Sequence, residues 1–411
     1  VWHVSEETFM EVVRPVLSRL SLRVATGYTG NINKTVKPNL MMKYYKNFRI
    51  SDDENYRMGY INNAPNPKLR WEKTRDVKVA LDFGLWKDRI NGIVEAYWRK
   101  SKDCVTSEYV PVTTGFFNQS YNTSVLQNNG VEFSLSVAVL KSKDYNLSVS
   151  ANVAWNQNKL KKYNSPNTSL ALDKYVGYPM GAVFSGKYEG IDPETGMYKF
   201  KLRPDAVTNK DGYLREPNNY YYYLGTSVAP FTGGFNLNFS YKNIGLSVGG
   251  SYSVKAKMVD NIESPAGYEL LSGSKLESIP TPHNDLYRNH LNVKREVRNR
   301  WTPENRTGVK YPRLIDAYGK KLGLDLTNPT LTTITRGALL EDISYLRINT
   351  IALSYSLPQR VLERINFSSA ALNLTLNNFF TITKYSGIDP EVPGATYPVS
   401  RSVTIGLNVG F

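Results

Sequence analysis

Apolar residues recur at every second position over long stretches of this chain. Phe231, Gly233, Phe235, Leu237, Phe239 and Tyr241 alternate with Thr232, Gly234, Asn236, Asn238 and Ser240. After Lys242–Asn243 the beat resumes as Ile244, Leu246, Val248, Gly250, Tyr252 and Val254. A period of two belongs to a β-strand, and two such runs around a two-residue turn predict a hairpin with one apolar and one small, polar face. Val131–Val139 and Tyr145–Trp155 repeat the pattern, and the chain closes on it: Val403, Ile405, Leu407, Val409 and Phe411 share one face. The alternation predicts strands near 20–28, 73–85, 90–100, 126–140, 145–155, 231–241, 244–255, 345–357, 370–376 and 402–411. Glu6–Leu17 is the best candidate for a helix, with Pro15 against it.

Between the hairpins lie polar segments rich in Gly, Pro, Asn and Tyr, at 29–70, 102–123, 156–226 and 256–343. They alternate with short turns such as Lys87–Arg89 and Ser142–Lys143. Compact soluble domains seldom carry loops of this length, whereas outer-membrane barrels place tight turns at one rim and long loops at the other. A soluble sandwich or propeller accounts for alternation but favours strands of about five or six residues. A tilted strand crossing hydrocarbon needs about 9–11. The pattern therefore predicts an all-β, antiparallel transmembrane barrel with long extracellular loops.

Composition removes several other classes. The formal charge of +15 would suit nucleic acid, but the basic residues are dispersed and no recognition motif accompanies them, so no nucleic-acid partner is expected. The densest cluster, Lys294–Arg300, lies in a loop and reads as solvated charge. One cysteine, Cys104, excludes an intramolecular disulfide. His3, His283 and His290 are scattered, and no nucleophile, phosphate-loop or zinc-protease motif is present, so no catalytic residues are expected and the chain is read as a non-enzyme. No apolar run of about 18 residues marks a transmembrane helix. The opening VWHVSEETF lacks the basic-then-apolar leader of a signal peptide, which reads as a cytoplasmic chain or a piece of a longer one.

Several stretches carry a specific resemblance. They are Asn63–Asp103 (NAPNPKLRWEKTRDVKVALDFGLWKDRINGIVEAYWRKSKD), Asn128–Val137 (NNGVEFSLSV), Gly177–Phe200 with its GIDPETG core, Glu341–Ile365 and Asn373–Val392. In this order, over nearly the whole chain, they resemble the barrel of SusC-like (SusC/RagA) TonB-dependent outer-membrane transporters of Bacteroidota. The resemblance implies the C-terminal part of a 22-stranded barrel, with the plug domain and the other barrel half outside this chain. It implies TonB-dependent import of an oligosaccharide or peptide across the outer membrane. Its implied partners are a SusD-like surface lipoprotein, TonB acting through the N-terminal part, outer-membrane lipid, and a dimer of transporter–lipoprotein pairs. A passive porin or a surface-binding adhesin barrel is the alternative.

Candidate sites follow from residue type. Tyr220, Tyr221, Tyr222 and Tyr223 precede a predicted strand and suit either stacking on a ligand or packing at a barrel rim. Asp192 and Glu194 offer oxygen donors of the kind a loop calcium ion takes, although Asp-Pro and Thr-Gly are also ordinary turn formers; Asp389–Glu391 reads the same way. No other cofactor or metal is expected. Trp71, Trp86, Trp98 and Trp155, near strand ends, suit the aromatic girdle of a membrane barrel. Phe411, with Val409 and Leu407, is implied by the resemblance to be the assembly signal read by the insertion machinery.

Overall fold

The computed structural model describes residues 1–32, 36, 42–44, 59–61, 63–163, 175–194, 196, 198–205, 220–259, 298–310, 336–393 and 397–411. His283, His290 and most of the Lys294–Arg300 cluster lie outside the described residues. The fold is mostly strand, and no described helix is long and apolar enough to cross a membrane. Two compact units divide the chain: Val1–Lys141 with Ser148–Met180, and Ser142–Leu147 with Gly181–Phe411.

In the first unit β1 (Leu17–Asn31) leads to two short strands, β2 (Met42–Tyr44) and β3 (Gly59–Ile61), paired with each other. β4 (Asn63–Ala64) follows, then β5 (Glu72–Leu85), β6 (Ile90–Tyr109), β7 (Asn118–Lys141) and β8 (Tyr145–Tyr163). The long strands lie side by side in the order β1-β5-β6-β7-β8, with β4 parallel to the start of β7. Register keeps the faces pure. Leu22 pairs with Leu81 and Val24 with Val79; Val79 then faces Ala96, and Val94 faces Phe133. The opposite face carries charge pairs: Arg23 forks onto Asp82 at 2.6 and 3.0 Å, while Lys78–Glu95 and Arg99–Asp76 each close at 3.0 Å.

The second unit holds β9 (Ala182–Ile191), β10 (Tyr198–Lys201) and β11 (Tyr221–Thr226) as one small sheet in the order β10-β9-β11. β12 (Phe231–Tyr241) and β13 (Ile244–Val254) form the hairpin read from the alternation. Beyond β14 (Lys257–Val259) and β15 (Leu340–Asp342), which pair with each other, come β16 (Tyr345–Ser356), β17 (Ser369–Thr383) and β18 (Ser402–Gly410). The wall runs β12-β13-β16-β17-β18. Its apolar face is open: Ile405 is 73% exposed, Leu407 67% and Ile382 71%. A soluble monomer seldom leaves so extensive an apolar surface uncovered. The other face is neutral and hydrogen-bonded within itself. Ser247 donates to Asn238 at 2.8 Å, Ser251 to Asn349 and Thr350 to Asn377 at 3.1 Å, and Asn377 to Ser402 at 3.0 Å.

One extra residue keeps these faces in phase. Gly250 pairs with Ile348 and Gly249 with Thr350, leaving Asn349 as a bulge in β16. It puts Arg347 and Thr350 on the same, polar face although their spacing is odd.

Several sequence expectations change, and the segments 29–70 and 256–343, read as loops, also hold the short strands β2–β4 and β14–β15. Glu6–Leu17 is not an α-helix but two 3₁₀ turns, Val4–Glu6 and Thr8–Val13, followed at once by β1; Pro15 cannot continue a helical ladder. The connection expected over 102–123 is largely strand, because β6 continues to Tyr109 and β7 begins at Asn118. Likewise β8 runs to Tyr163, and the segment 156–226 contains β9, β10 and β11. Above the apolar band both faces meet polar surroundings, so pairing persists where alternation fades.

Glycines opposite rings close the wall. A Cβ on Gly250 would lie 2.4 Å from the Phe235 ring and 2.6 Å from the Arg347 carbonyl. On the polar face, the nearest atom to a Cβ on Gly249 is Asn236 Oδ1 at 3.8 Å. Gly250→Val should therefore destabilise the folded wall by about 1–3 kcal/mol, seen as a lower temperature for loss of the compact band on unheated gels, whereas Gly249→Ala should leave that temperature unchanged.

Candidate functional site

The strand period decides how the four tyrosines are used. β11 pairs with β9 so that Tyr221 faces Gly186, Tyr222 faces Ser185 and Tyr223 faces Phe184. Tyr221 and Tyr223 therefore share one face and Tyr222 takes the other. The Tyr222 hydroxyl donates to the Leu202 carbonyl at 2.8 Å, and Tyr220, half-buried in the turn before the strand, has its phenol pKa pushed up by burial. The run expected as one cluster is thus divided by the pleat.

A larger aromatic face forms around half of it. Phe200 pairs with Tyr188 across β10 and β9, on the same side as Phe184, Tyr221 and Tyr223. Tyr188 meets Tyr198 edge-on at 5.6 Å and Phe200 at 6.0 Å, while Phe184 and Tyr223 lie 5.8 Å apart. Burial also raises the Tyr188 pKa, although part of its ring stays open. Tyr188, Tyr198 and Phe200 were not singled out from the sequence; Tyr198 and Phe200 are spaced i, i+2, but their meeting with Tyr188 depends on the β9–β10 pairing.

Asp192 and Glu194 build a turn. The Asp192 carboxylate accepts the Glu194 N–H at 3.1 Å, and its carbonyl accepts the Gly196 N–H at 2.7 Å. Trp301 donates its indole N–H to the Pro193 carbonyl at 2.8 Å, and the exposed Glu194 carboxylate stands 4.0 Å from Arg306. Among the described residues no group of three or more His, Cys, Asp and Glu side chains is arranged to hold a metal ion.

The second acidic pair has a different partner. Arg347, on the polar face of β16 and 2% exposed, donates to the buried Asp389 carboxylate, and its Nε lies 3.1 Å from Glu391 in an ion pair not aligned as a hydrogen bond. Asp389 also accepts the backbone N–H of Glu391 at 2.9 Å and of Val399 at 3.0 Å. A guanidinium thus occupies the position a loop cation would take. In the first unit, fully buried Glu108 accepts Thr106 Oγ1 at 2.8 Å and the Tyr163 hydroxyl, another acid that alternation does not flag.

The tryptophans fall at different heights. Trp86 lies in the β5–β6 turn, whereas Trp98 and Trp155 stand eight and ten residues along β6 and β8 from their short-turn ends. At about 3.3 Å per residue, those distances approach the thickness of a bilayer core. Trp71, just before β5, sits higher, with its ring against Gly30. At the C-terminus Leu407 pairs with Leu372 and Val409 with Ala370, and the Phe411 ring meets Phe367 edge-on at 5.2 Å.

No protein-family model matches the chain. Among curated proteins it is 25% identical to TonB-dependent receptor P26 of Formosa agariphila, over its whole length and 41% of that protein. It is 26% identical to TonB-dependent receptor SusC of Bacteroides thetaiotaomicron, over its whole length and 39% of the relative. The solved RagAB peptide transporter superposes over the whole chain with a TM-score of 0.75 and 26% identity, covering 42% of that chain; its closed-closed state gives 0.77 and 25%. The chain matches the SusC/RagA family of TonB-dependent outer-membrane transporters. It spans about two fifths of the length of these relatives and corresponds to the C-terminal, barrel portion of larger homologues. This similarity supports residence in the outer membrane of a Gram-negative bacterium.

Within this chain, Asp389 has a defined acid response. Burial alone would raise its pKa, but the Glu391 and Val399 amides and the Arg347 guanidinium outweigh that and hold it below the usual carboxylate range. A depressed folded-state pKa contributes stability that is complete above the unfolded value of about 3.9 and disappears as pH falls through the folded one. Hydrogen exchange at the Glu391 and Val399 amides should therefore stay slow as ordinary carboxylates titrate and quicken only at lower pH; Asp389→Asn should remove that acid-dependent step.

Proposed function

We propose that the chain is the C-terminal barrel portion of a TonB-dependent importer that carries a peptide or oligosaccharide across the outer membrane. The observation behind this reading is the whole-chain superposition on the RagAB peptide transporter at a TM-score of 0.75. The chemistry agrees with it: open apolar faces suit lipid, and charge-paired or hydroxyl–amide faces suit a water-filled passage. In this reading the protein is a transporter and not an enzyme. The complete barrel has 22 strands, as large outer-membrane transporters do, with the division of 1–411 into wall strands and extracellular loops following the described elements. The plug and the remaining strands come from the N-terminal part, through which TonB acts. A SusD-like lipoprotein covers the loops, and two such pairs assemble as a dimer.

The roles of individual residues belong to the same proposal. Trp86 anchors one membrane interface and Trp98 and Trp155 the other, while Phe411, Val409 and Leu407 form the terminal segment recognised during insertion. The aromatic face of β9-β10-β11, including Tyr221 and Tyr223, contacts substrate or lipoprotein with rings that stack and hydroxyls that hydrogen-bond.

Uptake tests the reading. Cells expressing the full-length protein should accumulate a labelled peptide or oligosaccharide, and loss of TonB should abolish that accumulation; undiminished uptake without TonB would instead make the barrel a passive pore. If the loop sheet is the contact surface, Tyr188→Ala with Tyr223→Ala should weaken cargo or lipoprotein binding about tenfold or more, as losing aromatic anchors does, with the amount of folded protein in the membrane unchanged.

A further inference from the structure

The described residues of the connection between β17 and β18, 384–393 and 397–401, are tied to the wall at several points. Tyr385 is buried against Ala256 and Ile343, with Met258 and Ala229 packed around them. The Ser386 N–H is held by the Glu341 carboxylate at 2.9 Å. Asp389 and Glu391 converge on Arg347, Asp389 reaches forward to the Val399 amide, and Asn378 donates to the Ser400 carbonyl at 3.0 Å. Arg347 lies on the polar face, paired in register with Ser251 of β13 and Thr381 of β17. A connection whose buried acid reaches that side chain must fold over the polar face rather than stand away from the sheet.

The arrangement is chemically exacting. Arg347 is the lone charged side chain among the register-paired positions of β12, β13 and β16–β18 on this face, the others being Ser, Thr, Asn, Gly, Ala and Tyr. Buried there without acids it would be costly. Its planar fork instead meets two carboxylates contributed by the same short stretch, one of them almost fully enclosed. Its delocalised charge also lies 5.9 Å from the centre of the Tyr345 ring.

We propose that Arg347 is a positioning residue that latches the β17–β18 connection across the polar face, so that residues 385–391 and 399 form a fixed inward constriction of the passage. The inference rests on reading that face as the passage wall, but the latch itself can be measured whether or not anything is transported. Lys384 and Arg401 bracket the connection and no other Lys or Arg lies between them, so trypsin can release Tyr385–Arg401 as a single peptide.

The experiment uses the full-length protein in outer-membrane fragments open to trypsin on both faces, comparing wild type with Asp389→Asn and Arg347→Met. Release of Tyr385–Arg401, followed by mass spectrometry, should be slow in the wild type and about a hundredfold faster or more in either variant, the scale expected when one partner of a buried ion pair is removed. The double variant should release it no faster than the single ones, since all three lose one contact. Release at the β7–β8 turn, Lys141 and Lys143, should not change; a parallel rise there would mean general unfolding and overturn the latch. Equal release from wild type and variants would overturn it as well. In a second arm, Ser251→Cys is treated with a small and a bulky maleimide. The small reagent alone should label the latched protein and both should label the Asp389→Asn background. Bulky labelling with the latch intact would overturn the constriction.

Discussion

Everything in this structure depends on backbone hydrogen bonding between neighbouring strands in a register that never mixes the two faces. In hydrocarbon no water is available to satisfy an unpaired N–H or C=O, so each wall strand must be bonded by a neighbour. Once strands are bonded, the two-residue pleat assigns every side chain to one medium or the other. The pairings Leu22–Leu81, Val79–Ala96 and Leu372–Leu407 do this on the apolar side. The polar sides of the two units solve the same problem with different chemistry, paired charges in one and neutral hydroxyl–amide contacts in the other. Charge pairs in water contribute little stability each, so their value here lies in holding diagonal neighbours in register without exposing a lone charge.

How much of this was legible depended on the medium around each segment. Phe231–Val254 and Ser402–Gly410 were readable because lipid on one side and water on the other impose alternation. Lys102–Tyr109 and Asn118–Thr123 were not, because both faces there are largely polar and only the backbone continues the pattern. Tyr220–Tyr223 stood out as a composition, but which rings share a face depends on pairing with β9, a segment that the sequence alone left as loop. Neither the Tyr188–Tyr198–Phe200 grouping nor the Arg347–Asp389 pair could be located from local spacing; the latter two are 42 positions apart. The one local hint was an arginine on the polar side of the Tyr345–Ser356 strand.

The acidic turns show how identical tripeptides diverge. Asp192-Pro193-Glu194 and Asp389-Pro390-Glu391 are identical in sequence. The first closes its own turn and leaves Glu194 in solvent. The second is pulled inward because a buried guanidinium waits on the wall beneath it. The difference resides in the strand opposite rather than in the motif, which is why the same three letters give a surface turn in one place and an anchored one in another.

The bulge at Asn349 has a consequence for how such a wall can change over evolutionary time. A strand with two media on its two sides behaves like a message with a reading phase: one residue added or lost inverts everything beyond it. The extra position in β16 is a compensated shift of this kind, restoring Thr350, Ala352 and Ser354 to the watery side after Arg347. Connections tolerate length changes of any size, whereas within the wall a single-residue change preserves phase only where a bulge absorbs it, as at Asn349. Diversity among such proteins should therefore accumulate as loop length, with strands altering by substitution or by whole hairpins.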